Sequence, residues 1–580
     1  MTECSDKPKV IAALFLTNTL APRCHGSAPI MKRSTLFLLG YVCIASLTLL
    51  AAASSPNAQP SAKEPKAGSG PSFPVPSNLT PRAIHADHNP ILSDGAYYSA
   101  DPAPLVVGDT LYILAGRDEA PEGRNDFIMK EWQVLATKDP ASKEWVHYPS
   151  VLRPEQVFKW AAPGRAYASQ IVKGADGRFY FYAPVMQANP TTRDGFGVGV
   201  AVSDTPLGPW TDAHPAGPIV SQSLPASARM QNIDPTVLID DDGRVYMYWG
   251  TFGQLRGVEL EKDMVTLKGD VVSVTTLKGF FEAPWFFKRK GTYYMVYAGN
   301  NAGPDSECTP ALYHACIAWG TATSPLGPWT YQGVMLAPVS STTSHPGIVE
   351  FKGKWYIAYH TADAKDGGHF RRSVAIDEVK WDDNVQPARL RKTEPTPARP
   401  TTLPPQRNIA PAARASASNE PIPVQYWIAA LNDGRTTRNP LPPQMWGSWN
   451  RTNNAPSYTL VYEWDKPVTL NGSRILFWAD RRPGSADGVA APKDWHLEYW
   501  TGSAWQSVPN ASAYNSSTTD FNEVSFGPVT TSCLRAVLNA STDGKTNAAL
   551  GVQEWEALAP NPVPVTINHS KAKGTCSAIQ

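Results

Sequence analysis

Four short stretches set a chargeable side chain at the head of an apolar, strand-like run: Asp101 in SADPAPLV, Asp234 in NIDPTVLI, Glu282 in FFEAPWFF and His345 in TSHPGIVEF. An Asp-Pro pair can be a turn device, because Asp hydrogen-bonds its own backbone and Pro fixes φ. Glu282 resists that reading, since a carboxylate among aromatic neighbours needs a reason for its burial. If the three acids meet, they cannot all ionise cheaply, and repulsion leaves at least one protonated near neutral pH. An ionised carboxylate draws a proton from water, and a protonated one gives a proton to a departing sugar oxygen. That pairing is what hydrolysis of a glycosidic bond requires. Whether the acids meet depends on the chain's period.

Five stretches of one kind recur: GDTLYILAG, DGRFYFYAP, DGRVYMYWG, KGTYYMVYAG and KGKWYIAYH, ending at Gly116, Pro184, Gly250, Gly299 and His360. Each is a Gly turn followed by alternating aromatic and aliphatic residues, the pattern of a hairpin's second strand. Their matched tyrosines are Tyr112, Tyr180, Tyr246, Tyr294 and Tyr356, which gives a mean period of about sixty residues. Ahead of each tyrosine by a near-constant offset stand Asp101, Ser169, Asp234, Glu282 and His345. A third recurring element runs through ATKDPASKEW, VSDTPLGPW and TATSPLGPW to Trp145, Trp210 and Trp329. A unit of this length with three or four short strands is a propeller blade, and five blades place equivalent positions around one axis. The expected fold is all-β: a five-bladed β-propeller over 89–388, then a β-sandwich of jelly-roll type.

The ordered series SADPAP, QNIDPTVLIDDDGRVYMYWG, FFEAPWFFKRKGTYYMVYAG, SHPGIVEFKGKWYIAYH and RRSVAID resembles glycoside hydrolase family 43. WQVLATKD, FKW and AYASQIV further resemble its arabinofuranosidase and xylosidase members. The resemblance implies an inverting glycosidase acting on arabinose- and xylose-containing polymers. It implies Asp101 as general base, Glu282 as general acid, and Asp234 as the residue that tunes and holds that acid. Tyr167, Ser169, His345 and Arg372 would contact substrate, and His345 would lie near the channel axis beside a bound calcium ion or a water. Tyr167 departs from the pattern, because the family often has Trp there. No cofactor is needed for the chemistry, and a structural calcium ion is compatible with it. Inversion leaves room for a water, so the Asp101 and Glu282 carboxyls are expected roughly 6.5–9.5 Å apart. Removal of terminal or side-chain arabinofuranosyl residues from arabinoxylan or arabinan is the expected reaction. A β-xylosidase is the rival enzyme, and a propeller that only binds sugar is the rival of another class. Taken singly, His345 also reads as a hydrogen-bonded structural histidine and Arg372 as a solvated cation.

The 580 residues carry 52 Lys and Arg against 51 Asp and Glu, a net charge of +1 that offers no nucleic-acid surface. From Met31, MKRSTLFLLGYVCIASLTLLAAASS has two cations, a short apolar run and small residues, the order of a secretory signal. Residues 1–55 are therefore read as extension and signal, 56–88 as linker, and the mature chain as secreted or periplasmic without a membrane span. Its partner would be plant cell-wall polysaccharide or derived oligosaccharides. Cys308, Cys316, Cys533 and Cys576 form no CxxC pair, and Cys308 with Cys316 would close a short loop. Residues 389–408 are rich in Pro and Thr and read as a semi-rigid linker or a strap along a surface. Residues 409–560 hold short alternating strands without the propeller period, and 561–580 read as a tail. Opening with NIAPAARASAS and closing in GVQEWEAL, this part resembles discoidin-like, galactose-binding-like modules. Trp446, Trp449 and Trp478 are candidates for stacking on sugar or for packing the sandwich, and Asp433 with Glu554 for a structural calcium ion.

Overall fold

The computed structural model describes residues 73, 75–568 and 575–576, apart from 122–123, 125, 301–307, 309–314, 341, 398–401, 420–425, 438–443 and 450–453. The secretory signal expected from Met31 and most of the 56–88 stretch lie outside the described residues.

Five antiparallel sheets follow one another along the chain, each built outward from an inner strand. These strands are Ala100–Val107, Gln170–Lys173, Thr236–Ile239, Phe280–Arg289 and Gly347–Phe351. They define blades I to V of a five-bladed propeller. The repeat tyrosines all fall on second strands opposite an apolar inner-strand residue: Tyr112 faces Leu105, Tyr180 Val172, Tyr246 Leu238, Tyr294 Phe287 and Tyr356 Val349. The hairpins are tight where the sequence reads Lys-Gly. Lys290 (φ 49°) with Gly291 (79°), and Lys352 (51°) with Gly353 (77°), take the paired left-handed conformations of a two-residue turn.

Large apolar side chains interlock between blades. Trp132 of blade I meets Phe181 of blade II edge-on at 5.0 Å, and Tyr248 of blade III meets Phe286 of blade IV at 5.1 Å. At Gly347 of blade V a β-carbon would lie 2.4 Å from Pro104 and 2.9 Å from Trp285, so only glycine fits between those blades. The ring closes through residues 89–99, which run along the free edge of Ser373–Val379. Ile91 N–H donates to the Val374 carbonyl, Ser99 N–H to that of Arg372, and the Asn89 amide bonds Ile376 in both directions. Blade I begins earlier than residue 89, because Arg82–His85 pairs with Glu144–His147 as its outermost strand.

The Pro-rich stretch 389–408 is no free linker, since its two ends belong to the two domains. Arg389–Leu390 pairs with Trp381–Asp382, and the Thr396 N–H and hydroxyl both donate to Asp377. Thr402–Asn408 is an edge strand of the sandwich. Its register passes from Leu403 opposite Val565 to Gln406 opposite Val563, stepping over Pro404 and Pro405, which have no N–H to offer. The expected tail is also anchored. Strand Gly551–Thr566 runs past residue 560, and Cys576 is bonded to Cys533 with Cα atoms 6.3 Å apart.

The sandwich orders its main strands as Thr402–Asn408, Gly551–Thr566, Ser457–Trp478, Asn522–Asn539, Asp494–Trp500 and Trp505–Ser507. Tyr462 stacks on Trp555 at 4.1 Å in its core. Trp446 is fully buried there, edge-on to Tyr458 and donating to the Asn419 side chain, so it packs the domain and offers no stacking face. Trp449 and Trp478 are half-buried. Cys308 and Cys316 are joined, as their spacing suggested. No helix of the described residues is long and apolar enough to cross a membrane.

Candidate active site

The hub positions its acids by interrupting its own strands. The register of blade I breaks between Ala100 and Ala103, and that of blade IV between Glu282 and Trp285. Asp101 (φ 58°), Asp234 (65°) and Ala283 (58°) all take the left-handed conformation. Asp tolerates that region better than most residues, yet each such position costs on the order of 1–3 kcal/mol and persists only where its surroundings impose it. The bulges free Asp101 and Glu282 from strict strand alternation, and Asp234 stands ahead of its strand Thr236–Ile239. The Asp-Pro pairs are thus more than turn devices.

Asp101, Asp234 and Glu282 are buried, at 1, 0 and 2 % exposure. Asp101 Oδ1 accepts from Arg372 Nη1 at 2.8 Å and has His345 Nδ1 at 3.5 Å. Arg372 is itself gripped by Asp118, through Nε at 2.8 Å, Nη2 at 2.9 Å and the backbone N–H at 2.9 Å. Its guanidinium also lies 4.6 Å over the Phe127 ring. Glu282 Oε2 accepts from the Thr251 hydroxyl at 2.9 Å, and Asp234 Oδ2 from the Ala283 N–H at 3.0 Å. Asp101 Oδ2 and Asp234 Oδ1 accept no hydrogen bond from the described residues. Leaving a buried carboxylate oxygen unpartnered is expensive in a structural site and useful in a reactive one.

The three acids act on one another electrically. Burial pushes Glu282 up to about 8, with the Asp101 charge adding to the rise and Thr251 opposing it. Burial and the Glu282 charge push Asp234 well above the usual carboxylate range. The two titrate as a pair, and that pair retains a proton at neutral pH. Burial leaves Asp101 raised as well, although Arg372 and His345 oppose the rise. A buried carboxylate bonded to a guanidinium ionises before one whose partners are a hydroxyl or an amide, so Asp101 carries the charge and the Asp234–Glu282 pair carries the proton.

Of the residues expected near substrate, Arg372 and His345 reach the acids. Tyr167 is buried, its ring stacked on Phe196 at 5.2 Å and its hydroxyl receiving Arg165 Nη1 at 2.6 Å. The Ser169 hydroxyl donates to the Tyr167 carbonyl at 2.8 Å and holds that turn. Tyr167 sits in an apolar cluster with Phe127, Phe196 and Phe281 that includes Ala100 and Ala283, the neighbours of two of the acids. Three residues were not foreseen. Asp118 holds Arg372, Thr251 holds Glu282, and His360 Nδ1 accepts the Asp101 backbone N–H at 3.1 Å. With Nδ1 accepting, His360 carries its proton on Nε2, facing Thr343 Oγ1 at 2.8 Å. Burial and Arg372 hold its pKa far below the ordinary value. A signal for His360 existed: it ends the fifth repeat where the other four have Gly or Pro.

Asp101, His345 and His360 bring ligand atoms within 4.8 Å of one another, the only such group among the described residues. Two imidazoles and one carboxylate are a poor cage for calcium, which takes six to eight oxygens. Both ring nitrogens of His360 and the near oxygen of Asp101 are moreover engaged within the protein. The second candidate fits no better. Asp433 has Arg435 Nε 3.8 Å away, and Glu554 accepts the Gly434 N–H. No step of the chemistry below passes through a metal.

Among known proteins, this chain is similar to a xylosidase/arabinosidase of Bacteroides ovatus, 32% identical over 329 residues, which are 49% of this chain and 92% of that one. It is similar to an arabinoxylan arabinofuranohydrolase of Paenibacillus polymyxa, 29% identical over 318 residues, 48% of this chain and 46% of that one. The solved structure of an α-L-arabinofuranosidase from Clostridium thermocellum aligns over 51% of this chain and 95% of its own at 31% identity, with a TM-score of 0.42. Residues 88–386 match the glycosyl hydrolases family 43 pattern, a span that contains all three buried acids and Arg372. With that match over half its length, the chain belongs to glycosyl hydrolases family 43 and is a glycoside hydrolase.

Proposed function

We propose that this enzyme removes terminal or side-chain arabinofuranosyl residues from arabinoxylan or arabinan with inversion at the anomeric carbon. Asp101 is the general base, Glu282 the general acid and Asp234 the residue that keeps the acid protonated. The observation that carries this reading is the asymmetry among three buried acids: Asp101 is bonded to a guanidinium, while Glu282 and Asp234 have a hydroxyl and an amide as their donors. Asp101 Oδ2, which accepts from none of the described residues, takes a proton from water as that water attacks the anomeric carbon. Glu282 gives its proton to the departing oxygen. The Asp234 carboxyl, buried beside it, makes loss of that proton costly until the leaving group demands it. Arg372 and Asp118 fix the orientation of the base.

The names of several relatives, arabinoxylan arabinofuranohydrolase among them, support the substrate class. Others named β-xylosidase or xylosidase/arabinosidase favour a second reading, release of xylosyl residues by the same carboxylates. A propeller that only bound sugar would have no use for a raised-pKa acid beside an ionised base. Secretion is supported by the two disulfides, which persist in oxidising compartments. Assays on nitrophenyl arabinofuranoside and xylopyranoside, followed by proton NMR of arabinoxylan digests, test both sugar and stereochemistry. Arabinose released with inverted configuration is expected, and retained configuration would overturn the role given to Asp101.

A further inference from the structure

Among the described residues, the sandwich touches the propeller beside the site. Residues 362–371 join strands Lys354–Thr361 and Ser373–Val379 of blade V. They end in a tight hairpin, where Gly368 and Arg371 exchange backbone hydrogen bonds at 3.1 Å in both directions. Phe370, at its tip, packs on Phe127 at 4.5 Å, the same ring that lies beneath the Arg372 guanidinium. This segment thus packs against the ring that carries the cation bonded to Asp101. Its carbonyls are gripped from the other domain. Arg435 donates through Nη1 to Ala362 O at 2.9 Å and through Nη2 to Ala364 O at 3.4 Å, and Gln444 Nε2 reaches Gly367 O at 3.5 Å. The grip is rigidly mounted. Gly434 N–H donates to the buried Glu554, Thr437 N–H to Gln553, Arg435 N–H to Asp433, and the Asn432 amide to the carbonyls of Ala410 and Ala413.

We propose that the turn Asn432–Arg435 of the sandwich is a positioning element of the catalytic pocket, in which Arg435 fixes the 362–371 segment and, through it, Phe370 and Arg372. The sandwich is then part of the enzyme's working site. This rests on the reading of Asp101 as base. The forked guanidinium is suited to two carbonyls at once, and a charged donor contributes more than a neutral one.

The test uses the full chain and a nitrophenyl glycoside, which is too small to bridge the pocket and a distant sugar-binding surface. Arg435→Ala is expected to lower kcat/KM about fivefold to tenfold, through a higher KM where Phe370 shifts and a lower kcat where Arg372 shifts. Arg435→Lys, which keeps one donor, should recover about half of that effect. In a Phe370→Ala background the Arg435→Ala change should add less than twofold, because both act through one segment. Unchanged kinetics in folded Arg435→Ala, or full additivity with Phe370→Ala, would overturn the proposal. Failure of the catalytic reading would register elsewhere, as activity surviving in Asp101→Ala.

Discussion

The two domains bury acidic side chains in opposite ways. In the sandwich, Glu463 receives the Cys576 N–H at 2.8 Å, the Thr575 N–H at 3.0 Å and Arg414 at 3.2 Å. Burial alone would raise its pKa, but those amides and Arg414 outweigh it and leave it lowered. Arg474 forks onto Glu556, and Arg535 onto Glu498. In the propeller hub, Asp101 and Asp234 each keep one oxygen without a donor from the described residues, on backbone held in left-handed conformations. A structural acid is satisfied until it is inert. A catalytic acid is left short of partners, at a cost in stability that the surrounding blades absorb.

The sharpest way to break that contrast is to remove acids on each side. Asp101→Ala and Glu282→Ala should each lower kcat/KM on arabinoxylan oligosaccharides by roughly 1,000-fold or more with circular dichroism unchanged, since each removes a proton-transfer group. Glu463→Ala should leave kcat/KM within about twofold and instead lower the melting temperature of the sandwich. Next in size is the staple beneath it. The Cys533–Cys576 disulfide closes a loop of sequence separation 43. Cys576→Ser should cost about 2–4 kcal/mol, read as a lower midpoint for the sandwich transition in urea.

The sign of the hub's contribution to stability is also fixed. The Glu282 pKa is raised on folding, so its stabilisation is complete below the unfolded-state value of 4.5 and is lost as pH rises towards about 8. Glu282→Gln should therefore melt roughly 2–5 °C above the wild type at pH 8 and show little difference at pH 4. The smallest expected effect belongs to Ser169, whose hydroxyl is engaged with the Tyr167 carbonyl. Ser169→Ala should change kcat/KM by less than about threefold, because the bond it loses is a neutral one to the Tyr167 carbonyl.

How far the sequence could be read follows from the same contrast. Asp101, Asp234 and Glu282 were legible because the repeat counts them into one ring, and the five tyrosines set the register. Asp118 was not, because its role exists only once blade V lies against blade I and brings Arg372, 254 positions away in sequence, onto it. His360 carried a composition signal, but its bond to the Asp101 N–H needs the same closure. In the sandwich, Pro404 and Pro405 hid a strand, since paired prolines argue against a ladder unless its register skips them. Trp446 was ambiguous because an indole ring serves a core as readily as a sugar face.

The claim that a proton is stored on the Asp234–Glu282 pair is open to one decisive measurement, the pH dependence of kcat/KM on an arabinoxylan oligosaccharide, whose departing sugar oxygen needs acid assistance. Wild type should lose activity on the alkaline side with an apparent pKa near 8, and Glu282→Gln should retain its residual turnover with that alkaline limb gone. The same alkaline limb persisting in Glu282→Gln would place the stored proton on some other group and contradict the account.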